Sequence, residues 1–202
     1  MDVSVTLENN NIHSNALGGV TVQGEGSEAV LRGNRIHDGK GGGMGIRDGA
    51  SATLENNNIH SNTLVGVIVE GEGSEAVLRG NRIHDGKECG VLISTKASAT
   101  LENNTITNND LAGVLIDDHA TTTLTGNTIK GNGQCKIERT EEVFASWPES
   151  RVALYRSTGF PGVRVRRRST VTMPPGSNTI EGNGKVGSDG EQVMVDETSN
   201  VN

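Results

Sequence analysis

Apolar residues recur along this chain in short runs that skip every second position, separated by Gly, Asn, Asp and Ser. Ala52-x-Leu54, Ala76-x-Leu78 and Val67-x-Val69 show the period of a strand, not of a helix. The runs themselves repeat. Leu7, Leu31, Leu54, Leu78, Leu101 and Leu124 are spaced by 24, 23, 24, 23 and 23 residues. Five positions after each stands Ile12, Ile36, Ile59, Ile83, Ile106 or Ile129. Between them runs an asparagine row: Asn10, Asn34, Asn57, Asn81, Asn104 and Asn127. A V-x-V type pair follows each of the first five isoleucines: Val20/Val22, Met44/Ile46, Val67/Val69, Val91/Ile93 and Val114/Ile116.

Each unit thus holds three short strands, with corner residues that accept tight or left-handed backbone between them. The spacing predicts an all-β fold: a right-handed parallel β-helix of about seven coils, each of 23–24 residues and three strands. Stacked coils would rise by about 4.8 Å, making a rod of roughly 30 Å. Residues 24–40 and 71–87 are identical, GEGSEAVLRGNRIHDGK, as are 6–15 and 53–62, TLENNNIHSN. Six coils are clear, and Val171, Met173, Asn178, Ile180 and Asn183 read as a seventh. A leucine-rich repeat would need L-x-x-L-x-L, which is absent. The expected organisation is one domain over 1–202, with an insertion at about 133–161 and a polar tail from about 196.

The outward rows support this alignment. The residue after each leucine reads Glu8, Arg32, Glu55, Arg79, Glu102, so charges alternate up the stack. Such exposed pairs are worth about 0–1 kcal/mol each and testify to register more than to stability. The inward asparagines are expected to form an amide ladder at one corner.

Composition narrows the function. A net charge of −7 argues against nucleic acid as a partner. No run approaches 18 apolar residues, so no membrane span is expected. The start, MDVSVTLENN, lacks the features of a secretory signal, so an intracellular (cytoplasmic or nuclear) location is expected. Cys89 and Cys135 fall on one corner two coils apart, too far for a disulfide, and read as reduced thiols.

The repeat breaks once. After Asn132 the next V-x-V pair is delayed to Val163/Val165. The intervening segment holds Phe144, Trp147, Tyr155 and Phe160, every aromatic ring of Phe, Trp or Tyr in the chain, and Arg164, Arg166, Arg167 and Arg168 follow. Nearby, the outward row of the third strand reads Ile68, Leu92, Leu115, widened by Leu64, Val65 and Leu111. An exposed apolar stripe marks an interface or is covered. The expectation is a non-enzymatic module that binds a protein partner through Ile68, Leu92, Leu115, Leu64 and Leu111, the four aromatics, Arg164 and Arg166. Self-association through the first coil, which lacks a recognisable cap, is a further expectation.

His13, His37, His60 and His84 follow the core isoleucines as an outward row. A straight ladder converges poorly on an ion, so no metal and no cofactor is expected; His37, His84, Asp38 and Asp85 are the ligands to test. Asp117, Asp118 and His119 form the densest acid/base group and are the catalytic residues of an alternative reading, a carbohydrate-binding or polysaccharide-acting protein (lyase, hydrolase or epimerase).

The units N-x-I-H-x-N…G-V-x-V and N-R-I-H-D-G-K resemble β-helix repeats of the carbohydrate-binding and sugar-hydrolase (CASH) type. NRIHDGK at 34–40 and 81–87 is similar to the β-helix half of certain eukaryotic F-box proteins. That resemblance covers coils one to six and implies recognition of protein substrates for a ubiquitin ligase, with no catalytic residue to carry over.

Overall fold

A computed structural model describes residues 3–133, 162–166, 168–174, 177–181, 183, 193–195 and 200–201. Its strands form three parallel sheets of eight, seven and seven strands, in which every neighbour is one coil away in sequence. The first sheet comprises Ser4–Glu8, Glu28–Arg32, Ser51–Glu55, Glu75–Arg79, Ser98–Glu102, Thr121–Thr125, Thr170–Thr172 and Asn200–Val201. The second comprises Asn11–His13, Arg35–His37, Asn58–His60, Arg82–His84, Thr105–Thr107, Thr128–Lys130 and Thr179–Glu181. The third comprises Val20–Gln23, Met44–Arg47, Val67–Glu70, Val91–Ser94, Val114–Ile116, Val163–Val165 and Val193–Val195. The coils wind with the right-handed sense that parallel crossovers take. Five coils, from Ser4 to Ile116, follow one another without interruption, and strands of further coils extend the same sheets.

The register matches the leucine and isoleucine spacing residue for residue. Leu31 pairs with Leu54, Ile59 with Ile83, and Val91 with Val114. Leu54, Ile59, Val67 and Val69 of one coil are all fully buried, as are Leu78, Ile83, Val91 and Ile93 of the next. Each such side chain contributes about 1.5–3 kcal/mol on leaving water, so the thin core is stabilised coil by coil.

Corners are made by residues that tolerate positive φ. Asn9, Asn56 and Asn103 alternate with Gly33, Gly80 and Gly126 at the first corner. The alternation has a steric cause: a Cβ on Gly33 would lie 2.6 Å from Asn9 Oδ1, so an asparagine leans over the glycine of the next coil. One position on, the amide ladder stands as the spacing predicts. Asn57 Nδ2 donates to Leu31 O at 2.9 Å and to Asn81 Oδ1 at 3.0 Å, and the pattern continues through Asn104 and Asn127.

The insertion expected at about 133–161 lies outside the described residues apart from its first position, and Cys135 falls within it. Cys89 is buried. The polar tail expected from about 196 contributes the strand Asn200–Val201, paired with Thr170–Val171.

Candidate functional site

On the first sheet, positions one and three of each strand point outward and leave a channel between them. Two shallow grooves of about 180 and 240 Å³ lie there. Both include Glu75, Ala76 and Val77, so they join into one track along the helix axis, from Glu28 and Val30 to Thr121 and Thr123. One wall carries Glu28, Ser51, Glu75, Ser98 and Thr121; the other carries Val30, Thr53, Val77, Thr100 and Thr123. Small side chains on successive rungs keep the channel open. The fifth position of each strand, also outward, is the charge ladder: Arg32 bonds Glu8 at 3.2 Å and Glu55 at 2.9 Å, and Arg79 bonds Glu102 at 2.8 Å. These bonds raise the pKa of both guanidinium groups.

The second sheet carries the histidines. His13, His37, His60 and His84 stack in sequence with ring centroids 5.2, 4.8 and 4.9 Å apart. Stacked rings do not converge on a point, and among the described residues no group of three or more His, Cys, Asp or Glu could hold an ion. His37 and His84 are mostly buried rather than outward in solvent. Asp38 and Asp85 take positive φ at the following corner and bond the adjacent His Nδ1 at 2.6 Å, a turn role rather than a ligand role.

The third sheet corrects the expected apolar stripe. Leu111 and Leu115 are buried, Ile68 and Leu92 are half-buried, and only Leu64 is open to solvent, at 46%. The continuous exposed patch read from the sequence is therefore absent among the described residues. Arg164 stacks on Leu115 in register and is itself buried. Phe144, Trp147, Tyr155 and Phe160 lie outside the described residues.

Asp117, Asp118 and His119 do not converge. Asp117 pairs with Arg166 at 3.7 Å and accepts the Asp118 backbone N–H at 2.9 Å. Asp118 and His119 both adopt positive φ, as do Asp48/Gly49 and Thr95/Lys96 at the same corner of earlier coils. Their residue types serve a two-residue left-handed turn. His119 Nδ1 lies 3.3 Å from Asp118 Oδ1 on the exposed corner.

Two features escaped the spacing analysis. One is the groove, whose signal was the run of Ser and Thr at matching outward positions. The other is a second amide ladder, three residues after Ile59, Ile106, Ile129 and Ile180. Asn109 Nδ2 donates to Asn132 Oδ1 at 2.9 Å, and Asn132 Nδ2 to Asn183 Oδ1 at 3.0 Å.

A family model described as a right-handed beta helix region matches residues 2–143. No curated protein matches the sequence significantly. Among solved structures, the chain is similar to the A-module of the mannuronan C-5 epimerase AlgE4 of Azotobacter vinelandii, with 16% identity and a TM-score of 0.62, over 98% of this chain and 54% of that one. The A-module of the epimerase AlgE6 of the same organism gives 17% and 0.57, over 99% and 58%. The periplasmic alginate epimerase AlgG gives 16% and 0.57, over 84% and 39%. At such identities the likeness shows the fold, and the chain spans about half the length of the two A-modules.

These neighbours overturn the expected protein-recognition module. Proteins named for a reaction on a polysaccharide share this architecture along most of the chain. The F-box likeness and the ubiquitin assembly it implied find no support. The reason lies in the motif itself. In NRIHDGK, Asn34 belongs to the amide ladder, Ile36 to the core and Asp38 to a left-handed turn, so the match reports winding and not a ligand.

Proposed function

The chain belongs to the right-handed β-helix family, and on that premise we propose that it is a polysaccharide-binding protein of the carbohydrate-binding and sugar-hydrolase type, holding an extended glycan along the first sheet. The observation that carries this reading is the continuous axial track shared through Glu75, Ala76 and Val77. A rung advances about 4.8 Å, a length comparable to one pyranose residue, so a straight glycan would meet equivalent side chains sugar after sugar. Ser51, Ser98, Thr53, Thr100 and Thr123 offer hydroxyls that donate and accept, and Glu28 and Glu75 accept from sugar hydroxyls. Val30 and Val77 present apolar surface to the C–H faces of the rings. Asp117, Asp118 and His119 serve the turn in this reading.

Affinity electrophoresis and titration calorimetry against mannan, glucan, xylan and polymannuronate test it. At least one glycan is expected to bind. Thr53→Glu and Thr100→Glu, which fill the track from outward positions, are expected to abolish that binding without lowering the unfolding temperature. No binding across the panel, or binding unchanged in both variants, overturns the proposal.

A further inference from the structure

The second sheet carries chemistry that the groove does not use. Its outward rows are Asn11, Arg35, Asn58, Arg82 and His13, His37, His60, His84, stacked in register. The next corner adds the exposed Lys40 and Lys87. Within the histidine column the bonding alternates. His37 presents Nδ1 to Asp38 Oδ2 at 2.6 Å and Nε2 to Asn11 Oδ1 at 2.9 Å. His84 does the same with Asp85 at 2.6 Å and Asn58 at 2.9 Å. Each of these rings faces a side-chain oxygen at both nitrogens.

His60, between them, is bonded the opposite way. Arg35 Nε donates to His60 Nε2 at 3.1 Å, and a guanidinium has no lone pair to offer. His60 Nε2 is therefore unprotonated, and Nδ1 donates to Ser61 Oγ at 3.1 Å. The groups facing this ring are His37 and His84 on either side, with Arg35 and Asp38 from the coil before it. Burial first, then His84, His37 and Arg35, lower its pKa, and Asp38 alone opposes them. On protonation His60 would add a charge to the face and release the Arg35 guanidinium from its internal bond.

We propose that this face is a second binding site, for a linear acidic polysaccharide, in which Arg82, Lys40 and Lys87 hold the anionic groups and protonation of His60 recruits Arg35 to them. The Arg82, Lys40 and Lys87 side chains make no polar contact among the described residues and are exposed to solvent. Arg35 and Arg82 repeat every second rung, about 9.6 Å apart, as do Lys40 and Lys87. A rigid column of cations at fixed spacing fits a regular polyanion. The imidazoles stack face to face on one another, so they provide no platform for unstacked bases, which disfavours a nucleic acid. The site lies on a different sheet from the groove and does not depend on it.

Retention and titration of the whole chain with polygalacturonate, heparin and a single-stranded DNA oligonucleotide, at about pH 5.5 and about pH 7.5 and low salt, test this. Polygalacturonate or heparin is expected to bind about tenfold more tightly at the lower pH. Which of the two binds better separates carboxylate from sulfate preference. Arg82→Glu with Lys87→Glu should abolish binding while leaving the unfolding temperature unchanged, and Arg82→Gln should weaken it. His60→Asn should bind with no pH response. The Thr100→Glu groove variant should bind this face as the unmodified chain does, so the two readings fail separately. Absence of acidic-glycan binding at both pH values, full binding by Arg82→Glu with Lys87→Glu, a pH response that survives in His60→Asn, or stronger binding of DNA overturns the proposal.

Discussion

Arg35 reaches one coil up to donate its Nε–H to His60 Nε2 at 3.1 Å, so this ring, stacked between His37 and His84, accepts from a cation where they face an asparagine oxygen. The contact joins residues 25 apart, and neither belongs to the core. It gives an outward face an acid-sensitive element.

Stability should fall on acidification through that ring. The folded His60 pKa lies below its ordinary value of 6.5, so the unfolded chain binds the proton more readily. The stabilising contribution is complete above the ordinary value and is lost as pH falls from there towards the folded value. Asp38 adds a second, more acidic window, since its bond to His37 lowers its pKa from 3.8 and its contribution is lost as pH falls below that value. Unfolding midpoints between about pH 8 and about pH 5 should drop. His60→Thr, which copies Thr107 at the same row two coils on, should flatten the part nearer neutrality. An unchanged slope in that variant would assign the acid sensitivity elsewhere.

The amide ladder predicts a large cost for one truncation. Asn57 donates to Leu31 O and Asn81 Oδ1 and accepts from both the backbone and side-chain N–H of Asn34. Asn57→Ala leaves buried donors and an acceptor without partners and should cost about 3 kcal/mol or more. Asn57→Asp should be no better, because a carboxylate cannot donate to Leu31 O. Denaturant unfolding of both variants checks this, and a loss well under 1 kcal/mol would show that water replaces the ladder.

Close approach of backbone predicts a second. A Cβ on Gly66 would lie 2.6 Å from Gly90 O and 2.8 Å from Ile83 Cγ2. The oxygen belongs to the chain of the next coil and the methyl to a fully buried core residue, so neither yields freely. Gly66→Ala should destabilise by about 1–3 kcal/mol through overpacking. Thermal unfolding is the measurement, and a neutral result would imply that neighbouring coils can slide apart.

Thr122 predicts a gain. It stands in the inward row of Ala76 and Ala99, below Val171, fully buried, and its hydroxyl makes no hydrogen bond. Thr122→Val keeps the shape, removes the unpaired polar atom and should raise stability by about 1 kcal/mol. A loss in denaturant midpoint would place a water or an unseen partner at that oxygen.

The winding of this chain was readable from its letters, because a parallel β-helix carries each residue onto its equivalent one coil away. Leu31 over Leu54, Asn34 over Asn57 and Arg32 beside Glu55 all follow from spacings of 23 and 24. The second amide ladder was harder to see, since Gly39 and Gly86 replace asparagine in alternate coils and offer only their backbone N–H to Asn62 and Asn109. Beyond that charge ladder, surface chemistry was not readable. Two identical copies of TLENNNIHSN cannot reveal that His60 accepts from Arg35, because the donor belongs to the coil before. Nor could an outward position announce that Leu115 is buried while Leu64 is open. Periodicity dictates which side chains lie over one another. Exposure, protonation and the groove depend on the distances and neighbours that appear once the coils are stacked.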